Sequence, residues 1–236
     1  MQGGHDVIRV LGGGAAQGIA ATLAPAIEAA TGLAVDGDYG PVGGMRDRII
    51  AGEAADLVIL SRSLVEGLAG QGHVLADSLV DIGDVATGIA VREADPDLSC
   101  ATADELRAAL LEADGIFFPD PQQATAGIHF ANVLKRLGIH DTLSDRFRTF
   151  PGGIPAMAAL ARSDLSRPVG CTQVTEILGS AGVRLSGLLP PGCDLVTTYT
   201  AGVTVRAAHP EAARAMIAVL AAPESAAARA AAGFAG

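Results

Sequence analysis

The feature that most constrains this chain is a rhythm in its first ninety residues: short apolar, β-branched runs alternate with stretches of helical periodicity, and glycine marks the changeovers. Val7-Ile8-Arg9-Val10-Leu11 reads as a strand. Gly12-Gly13-Gly14 then turns the chain into a helix over about Ala16 to Ala30, with Ile19, Leu23 and Ile27 on one face and Thr31-Gly32 at its end. A second strand spans Leu33 to Tyr39, and Gly40-Pro41-Val42-Gly43-Gly44 makes a tight turn into a helix carrying Met45, Ile49 and Ile50. Asp56-Leu57-Val58-Ile59-Leu60 reads as a continuous apolar strand of the kind buried on both faces of a parallel sheet. Such repetition predicts an α/β fold, because each crossover helix has to return the chain to the sheet it covers.

The middle of the chain repeats the pattern. Ala86 to Val91 is a strand, Thr102 is an N-cap ahead of Ala103-Asp104-Glu105, and Gly115-Ile116-Phe117-Phe118 is a strand that ends at Pro119-Asp120-Pro121. Thr125-Ala126-Gly127 opens a helix that runs to Leu137 and closes at Gly138, and Pro168 to Cys171 is a further strand. Leu195 to Val205 is a long Thr/Val-rich strand, followed by a helix from Pro210 and an Ala-rich helix to the end. Two long strand-like segments, about 85–92 and 195–206, flank the central block. The expected organisation is therefore a lobe of residues 1–84 and 196–236 with a second lobe, 85–195, inserted into it, the two crossing strands acting as hinge.

Composition narrows the partners. Only 3% of the 236 residues are aromatic and none is Trp, so the interior is built from Ala, Val, Leu and Ile and stacking platforms for bases are missing. A formal charge of -10, from 26 acidic and 16 basic residues, argues against nucleic acid and against an anionic membrane surface. Lys135 is the sole lysine, so a bound anion must be held by Arg, hydroxyls or backbone N–H groups. Cys100, Cys171 and Cys193 lack the spacing of a zinc site or a disulfide framework. Met1 to Asp6 has no charged segment followed by an apolar run, and no apolar stretch is long enough to span a membrane; a cytoplasmic protein without membrane insertion is expected, or a periplasmic or extracellular one if a signal peptide has been trimmed.

Three strand-to-helix turns stand out: Gly12-Gly13-Gly14-Ala15, Gly40-Pro41-Val42-Gly43-Gly44 and Ala124-Thr125-Ala126-Gly127. In an open parallel sheet such turns lie at the carboxyl ends of the strands, where ligands bind. Each leaves N–H groups at a helix start, and these with the helix dipole favour an anion. None matches a phosphate loop or a dinucleotide fingerprint.

The stretches VLGGGAAQGIAATLAPAIEAATG and YGPVGGMRDRIIAGEAADLVIL, followed in order by DPQQATAGIHFANVLKRLGI, VGCTQVTEIL and GLLPPGCDLVTTYTAGV, resemble the molybdate-binding-protein-like group of the type II periplasmic binding protein fold. The resemblance covers nearly the whole chain and implies two lobes, each a mostly parallel sheet flanked by helices, with a small anion in the cleft between them. In molybdate receptors of that group the first two turns each supply a serine hydroxyl and a tyrosine follows later; Ala15, Val42 and Gln173 stand there in this chain. Losing those donors leaves a tetrahedral dianion undercompensated, by about 1.5–3 kcal/mol for each charged hydrogen bond. GGGAAQG and TAGIHF instead resemble a branch that handles small organic acids, aconitate isomerases among them, which shift a double bond by moving an allylic proton.

That resemblance implies an organic-acid ligand such as a tricarboxylate, held by Gly13, Gly14, Ala15, Gln17, Val42, Gly43, Arg46, Thr125, Ala126, Gly127, Thr172 and Gln173. Arg46, one turn into the second helix, is a clamp for a carboxylate or a surface partner of Asp47. Thr125 reads first as an N-cap. His129, near a helix start, is the candidate base, with Glu176 and Tyr39 as further catalytic candidates. No metal cluster and no nucleotide loop is apparent, so a cofactor-free isomerase is expected. The alternatives are the receptor component of an ABC transporter, with a permease as partner, and a sensor without catalysis.

Overall fold

The computed structural model describes residues 6–235 and divides into two compact units, Met1–Asp84 with Thr197–Gly236, and Val85–Val196. The first unit begins with β1 (Val7–Gly13), α1 (Gln17–Thr31), β2 (Ala34–Gly40), α2 (Val42–Ile50), β3 (Leu57–Ser61) and α3 (Arg62–Gly70). β4 (Val80–Arg92) carries the chain into the second unit, with α4 (Ala103–Glu112), β5 (Gly115–Pro119), α5 (Thr125–Arg136), α6 (His140–Leu143), β6 (Phe147–Phe150), α7 (Gly153–Ala161), β7 (Pro168–Gln173), α8 (Val174–Leu178) and β8 (Val183–Leu188). β9 (Val196–Val203) returns it to the first unit, which ends with α9 (Pro210–Ala221) and α10 (Ala226–Ala231).

In the first unit β1 lies parallel to both β2 and β3, while β9 runs antiparallel to β3 with Ser61 opposite Tyr199. The start of β4 joins β9 through side chains: Thr198 Oγ1 donates to Asp84 and Thr200 Oγ1 to Asp81, each at 2.6 Å. Every residue of β3 is buried, as its unbroken apolar run requires. Ile19 and Ile27 of α1 are buried over the sheet, and Gly32 ends that helix in the left-handed region at φ 71°. Because β1, β2 and β3 are parallel, their carboxyl ends Gly13, Gly40 and Ser61 come to one sheet edge. Ile50, expected on the apolar face of α2, instead ends that helix exposed. At the other edge the buried Asp56 carboxylate accepts the N–H groups of Arg9 and His209, both at 2.8 Å, which ties β1 to the start of α9.

The second unit has a mixed sheet. β5 is parallel to β6 and β7, and β4 is antiparallel to β7 and β8. Each face has its own core: Leu106, Phe118, Phe130, Leu134 and Cys171 pack on one side, Ala156, Met157, Leu160 and Ile177 on the other. With so few aromatics, Phe118 anchors the first of these by edge-to-face contacts with Phe130 and Phe147, centroids 5.4 and 5.3 Å apart. The carboxyl ends Pro119, Phe150 and Gln173 again share one edge, each leading into a helix. Neither β6 nor α7 is anticipated from the sequence pattern, since four half-exposed residues show no usable alternation. Thr102 does cap α4, accepting the Glu105 N–H at 3.2 Å, and Glu105 returns a bond to the Ala101 N–H.

Candidate functional site

In the first unit the end of β1 is bare backbone pressed on by side chains. A Cβ on Gly12 would fall 2.6 Å from Tyr39 Cδ1, and one on Gly13 would fall 2.7 Å from Val42 Cγ1 and 2.8 Å from Tyr199 Cε1. Only glycine allows that approach. The 3-10 turn Gly14–Ala16 and α2 both begin without a capping side chain, so the amides of their first turns remain for another acceptor. Ala15 and Val42 are buried, Gly14 and Gly43 partly so, which makes this edge a set of N–H groups framed by apolar surface. Burial pushes the Tyr39 phenol up to about 12, so it stays protonated at physiological pH and is able to donate a hydrogen bond.

Gln17 points into solvent. Arg46 bonds Asp47 through Nε and Nη2 at 2.9 and 2.6 Å, an exposed pair worth about 1 kcal/mol at most. The sequence reading overlooked Arg62, which opens α3 directly after Ser61 at the same sheet edge. Its guanidinium pairs with Asp81. Partial burial raises that carboxyl, but bonds from Arg62 and Thr200 outweigh it and hold Asp81 below the usual carboxylate range. The signal was available: Ser61-Arg62 follows the third parallel strand as Gly13-Gly14 follows the first.

In the second unit Asp120 Oδ1 accepts the N–H groups of Gln122 and Gln123 at 2.7 and 3.0 Å and shapes the turn after β5. The residue at the N-cap of α5 is Ala124, and no side chain caps the helix. Thr125 is thus the first helical residue and not the cap that its residue type suggested; Asp120 organises the turn upstream. The amides of Thr125, Ala126 and Gly127 are left without a capping side chain. Gly127 is mandatory, because a Cβ there would lie 2.3 Å from the carbonyl oxygens of both Pro119 and Asp120. One turn later, His129 Nε2 lies 2.7 Å from the Cys193 carbonyl oxygen. A carbonyl only accepts, so Nε2 is the donor, and in the neutral tautomer of the ring Nδ1 is the acceptor.

The end of β7 is more elaborate. Glu176 is the third residue of α8, whose N-cap is Gln173. Its buried carboxylate accepts a 2.5 Å bond from Thr172 Oγ1 and the N–H groups of Gly153 and Gln173. It therefore caps α7 and α8 together. Burial pushes this carboxyl up, and the three hydrogen bonds oppose that. The α7 turn, Pro151-Gly152-Gly153, escaped notice in the sequence although it has the same glycine character as the other three. Close by, Thr87 stands opposite Gln173 in the β4–β7 register, and the buried hydroxyls of Thr87 and Thr175 have no hydrogen-bond partner among the described residues.

Each unit thus gathers its own set of helix starts: Gly13, Gly14, Ala15, Val42, Gly43 and Tyr39 in the first, Thr125, Ala126, Gly127, Thr172, Gln173 and Glu176 in the second. Among the described residues no group of three or more His, Cys, Asp or Glu side chains is placed to hold a metal.

Against this geometry, a family model for bacterial extracellular solute-binding proteins matches residues 8–235. An aconitate isomerase from a Pseudomonas species is 28% identical over 225 residues, which cover 93% of this chain and 84% of that protein. The Azotobacter vinelandii periplasmic molybdate-binding protein superposes with a TM-score of 0.80 at 21% identity, covering 97% of this chain and 99% of its own. The sulfate-binding protein SubI of Mycobacterium tuberculosis H37Rv does so with a TM-score of 0.75 at 18% identity, covering 98% and 86%.

Proposed function

We propose, from the premise that this chain belongs to the family of bacterial extracellular solute-binding proteins and has the type II periplasmic binding protein fold, that it binds a small organic polycarboxylate and moves its double bond by an allylic proton shift without a cofactor. The observation that carries the reading is His129: it sits one turn into an uncapped helix, with the Cys193 carbonyl holding its Nε2 proton, so that Nδ1 is the acceptor of the neutral ring. A fixed tautomer is what a general base requires. The likeness to an aconitate isomerase along most of the chain supports the choice of substrate class.

The uncapped amides at the start of α5, one turn before His129, supply donors for a carboxylate. In the proposed step Nδ1 takes a proton from the allylic carbon, and the electron pair forms the new double bond as charge spreads into the adjoining carboxylate. Backbone N–H groups stabilise that charge, and the same imidazolium returns the proton at the far carbon. Glu176 is engaged in capping and takes the structural part.

A second reading, a receptor that delivers its anion to an ABC permease, is favoured by the periplasmic molybdate-binding and sulfate-binding neighbours. Either reading fits an extracytoplasmic location better than the cytoplasmic one expected from the sequence, given the family's designation. No helix among the described residues is long and apolar enough to cross a membrane. Calorimetric titration with trans-aconitate, cis-aconitate, molybdate and sulfate tests the ligand class. Saturable binding of an aconitate with no heat from the inorganic anions is expected, and the reverse pattern would move the chain to the receptors for inorganic anions.

A further inference from the structure

We infer that the second unit carries a separate binding site for a small, uncharged, mainly apolar molecule, in a cavity of about 450 Å³ walled by Thr87, Leu188, Pro190, Leu195 and Val196. The size is that of an ordinary small-molecule site, roughly 300–1,000 Å³. Every wall residue lies within Val85–Val196, so the cavity belongs to this unit alone.

Its walls explain an otherwise unexplained exposure. Leu188 and Val196, 51% and 57% exposed, are the most exposed large hydrophobic residues among those described, and both line the cavity. Clustered apolar exposure of this kind marks a binding surface more often than scattered single residues do. One wall is built to keep its shape: Cys193 N–H bonds the Pro190 carbonyl at 2.8 Å, Gly192 takes the left-handed φ of 81° and donates to Asp194 Oδ1 at 2.8 Å, and His129 holds the Cys193 carbonyl.

The polar groups select the ligand's chemistry. The Thr87 amide donates to the Leu195 carbonyl and the Thr87 carbonyl accepts from Leu189, so its backbone is committed. Its hydroxyl, on a residue only 2% exposed, has no partner among the described residues, and an alcohol seated in the cavity that reached it would satisfy it. No Arg, Lys or His lines the cavity, and its one charged wall residue is Asp194. An anion is repelled there, which separates this site from the helix starts that await a carboxylate. An alcohol-like molecule, with an apolar body and a single polar group, fits both features.

The test uses the full chain and cyclohexanol as probe, with cyclohexanecarboxylate as its anionic counterpart, read through assigned ¹H–¹³C methyl resonances. Cyclohexanol is expected to shift the methyl signals of Leu188, Leu195 and Val196 saturably, and the carboxylate to act at least tenfold more weakly. Thr87→Val, which keeps the side-chain shape, should weaken cyclohexanol binding by about five- to tenfold. Ala86 also lines the cavity, and Ala86→Leu, which adds bulk there and spares the hydroxyl, should abolish it. Absence of saturable shifts at these methyls, an equal response to the carboxylate, or full affinity in both variants would overturn the inference. Shifts that follow protein concentration and not cyclohexanol would do the same, and would assign the patch to self-association.

Discussion

Gly153 and Glu176 are in contact: a Cβ on Gly153 would fall 2.0 Å from Glu176 Oε2, and the Gly153 amide donates to that carboxylate. The start of α7 is thus satisfied by a carboxyl group that the protein supplies itself, and the glycine is what lets that group come so close. Gly153→Ala should cost about 1–3 kcal/mol or more of stability, because both the contact and the cap must move. Urea denaturation at neutral pH measures this, and an unchanged midpoint would show that the carboxylate is not held there.

The same carboxyl dictates a pH dependence. Folding raises its proton affinity through burial, so its folded-state pKa exceeds the unfolded one. The stability it contributes is fully present below the ordinary glutamate pKa and is lost as pH rises through the raised value. Glu176→Gln should therefore flatten the fall in stability across that window. Denaturation midpoints collected over the mildly acidic range check the slope. An identical slope in both proteins would assign the pH dependence to other groups.

Tyr39 offers a test of protonation. Its phenol is pushed up to about 12 by burial against Gly12 and Gly37. In a Tyr199→Phe background, which leaves Tyr39 as the remaining tyrosine, ultraviolet titration should find a midpoint about two units above the ordinary one. A midpoint near 10 would show that the phenol is not buried against those glycines.

The sheet edges that assemble the candidate residues were legible in the sequence, because a glycine turn between an apolar strand and a helix has few other uses than to end one and start the next. Gly14, Pro41 and Thr125 stand at the strand-to-helix changeovers that pattern predicts, although Gly12 and Gly13 still belong to β1 and Gly43 and Gly44 already to α2. What the pattern could not carry was the pairing of distant groups. His129 meets the Cys193 carbonyl across 64 residues, and Glu176 meets the Gly153 amide with no local motif to join them. Thr125 misleads for a related reason: a hydroxyl beside a helix start suggests a cap, yet Asp120 had already shaped that turn from five residues upstream. Arg62 and Gly153 were missed because the strands that lead to them end without the glycine run that drew attention elsewhere, or are too short to register.

If His129 Nδ1 is the proton carrier, His129→Gln should cut turnover of trans-aconitate by about a hundredfold or more while changing its affinity only severalfold, since general-base catalysis contributes roughly 10²–10⁴. Arg46→Ala separates the two possible roles of that side chain. An exposed partner of Asp47 leaves affinity unchanged, whereas a carboxylate clamp weakens binding by about 1.5–3 kcal/mol. Calorimetry on both variants, beside a rate assay, distinguishes these outcomes.

The most direct measurement is exchange of the allylic protons of trans-aconitate with deuterated solvent, followed by NMR in the presence of the wild-type chain. A proton shift must pass through a carbanion-like state, so exchange reports the chemistry even where net isomerisation is slow. The account predicts exchange well above the buffer rate, and its loss in His129→Gln. Tight binding of trans-aconitate with exchange no faster than in buffer would contradict it and leave a binding protein in place of an isomerase.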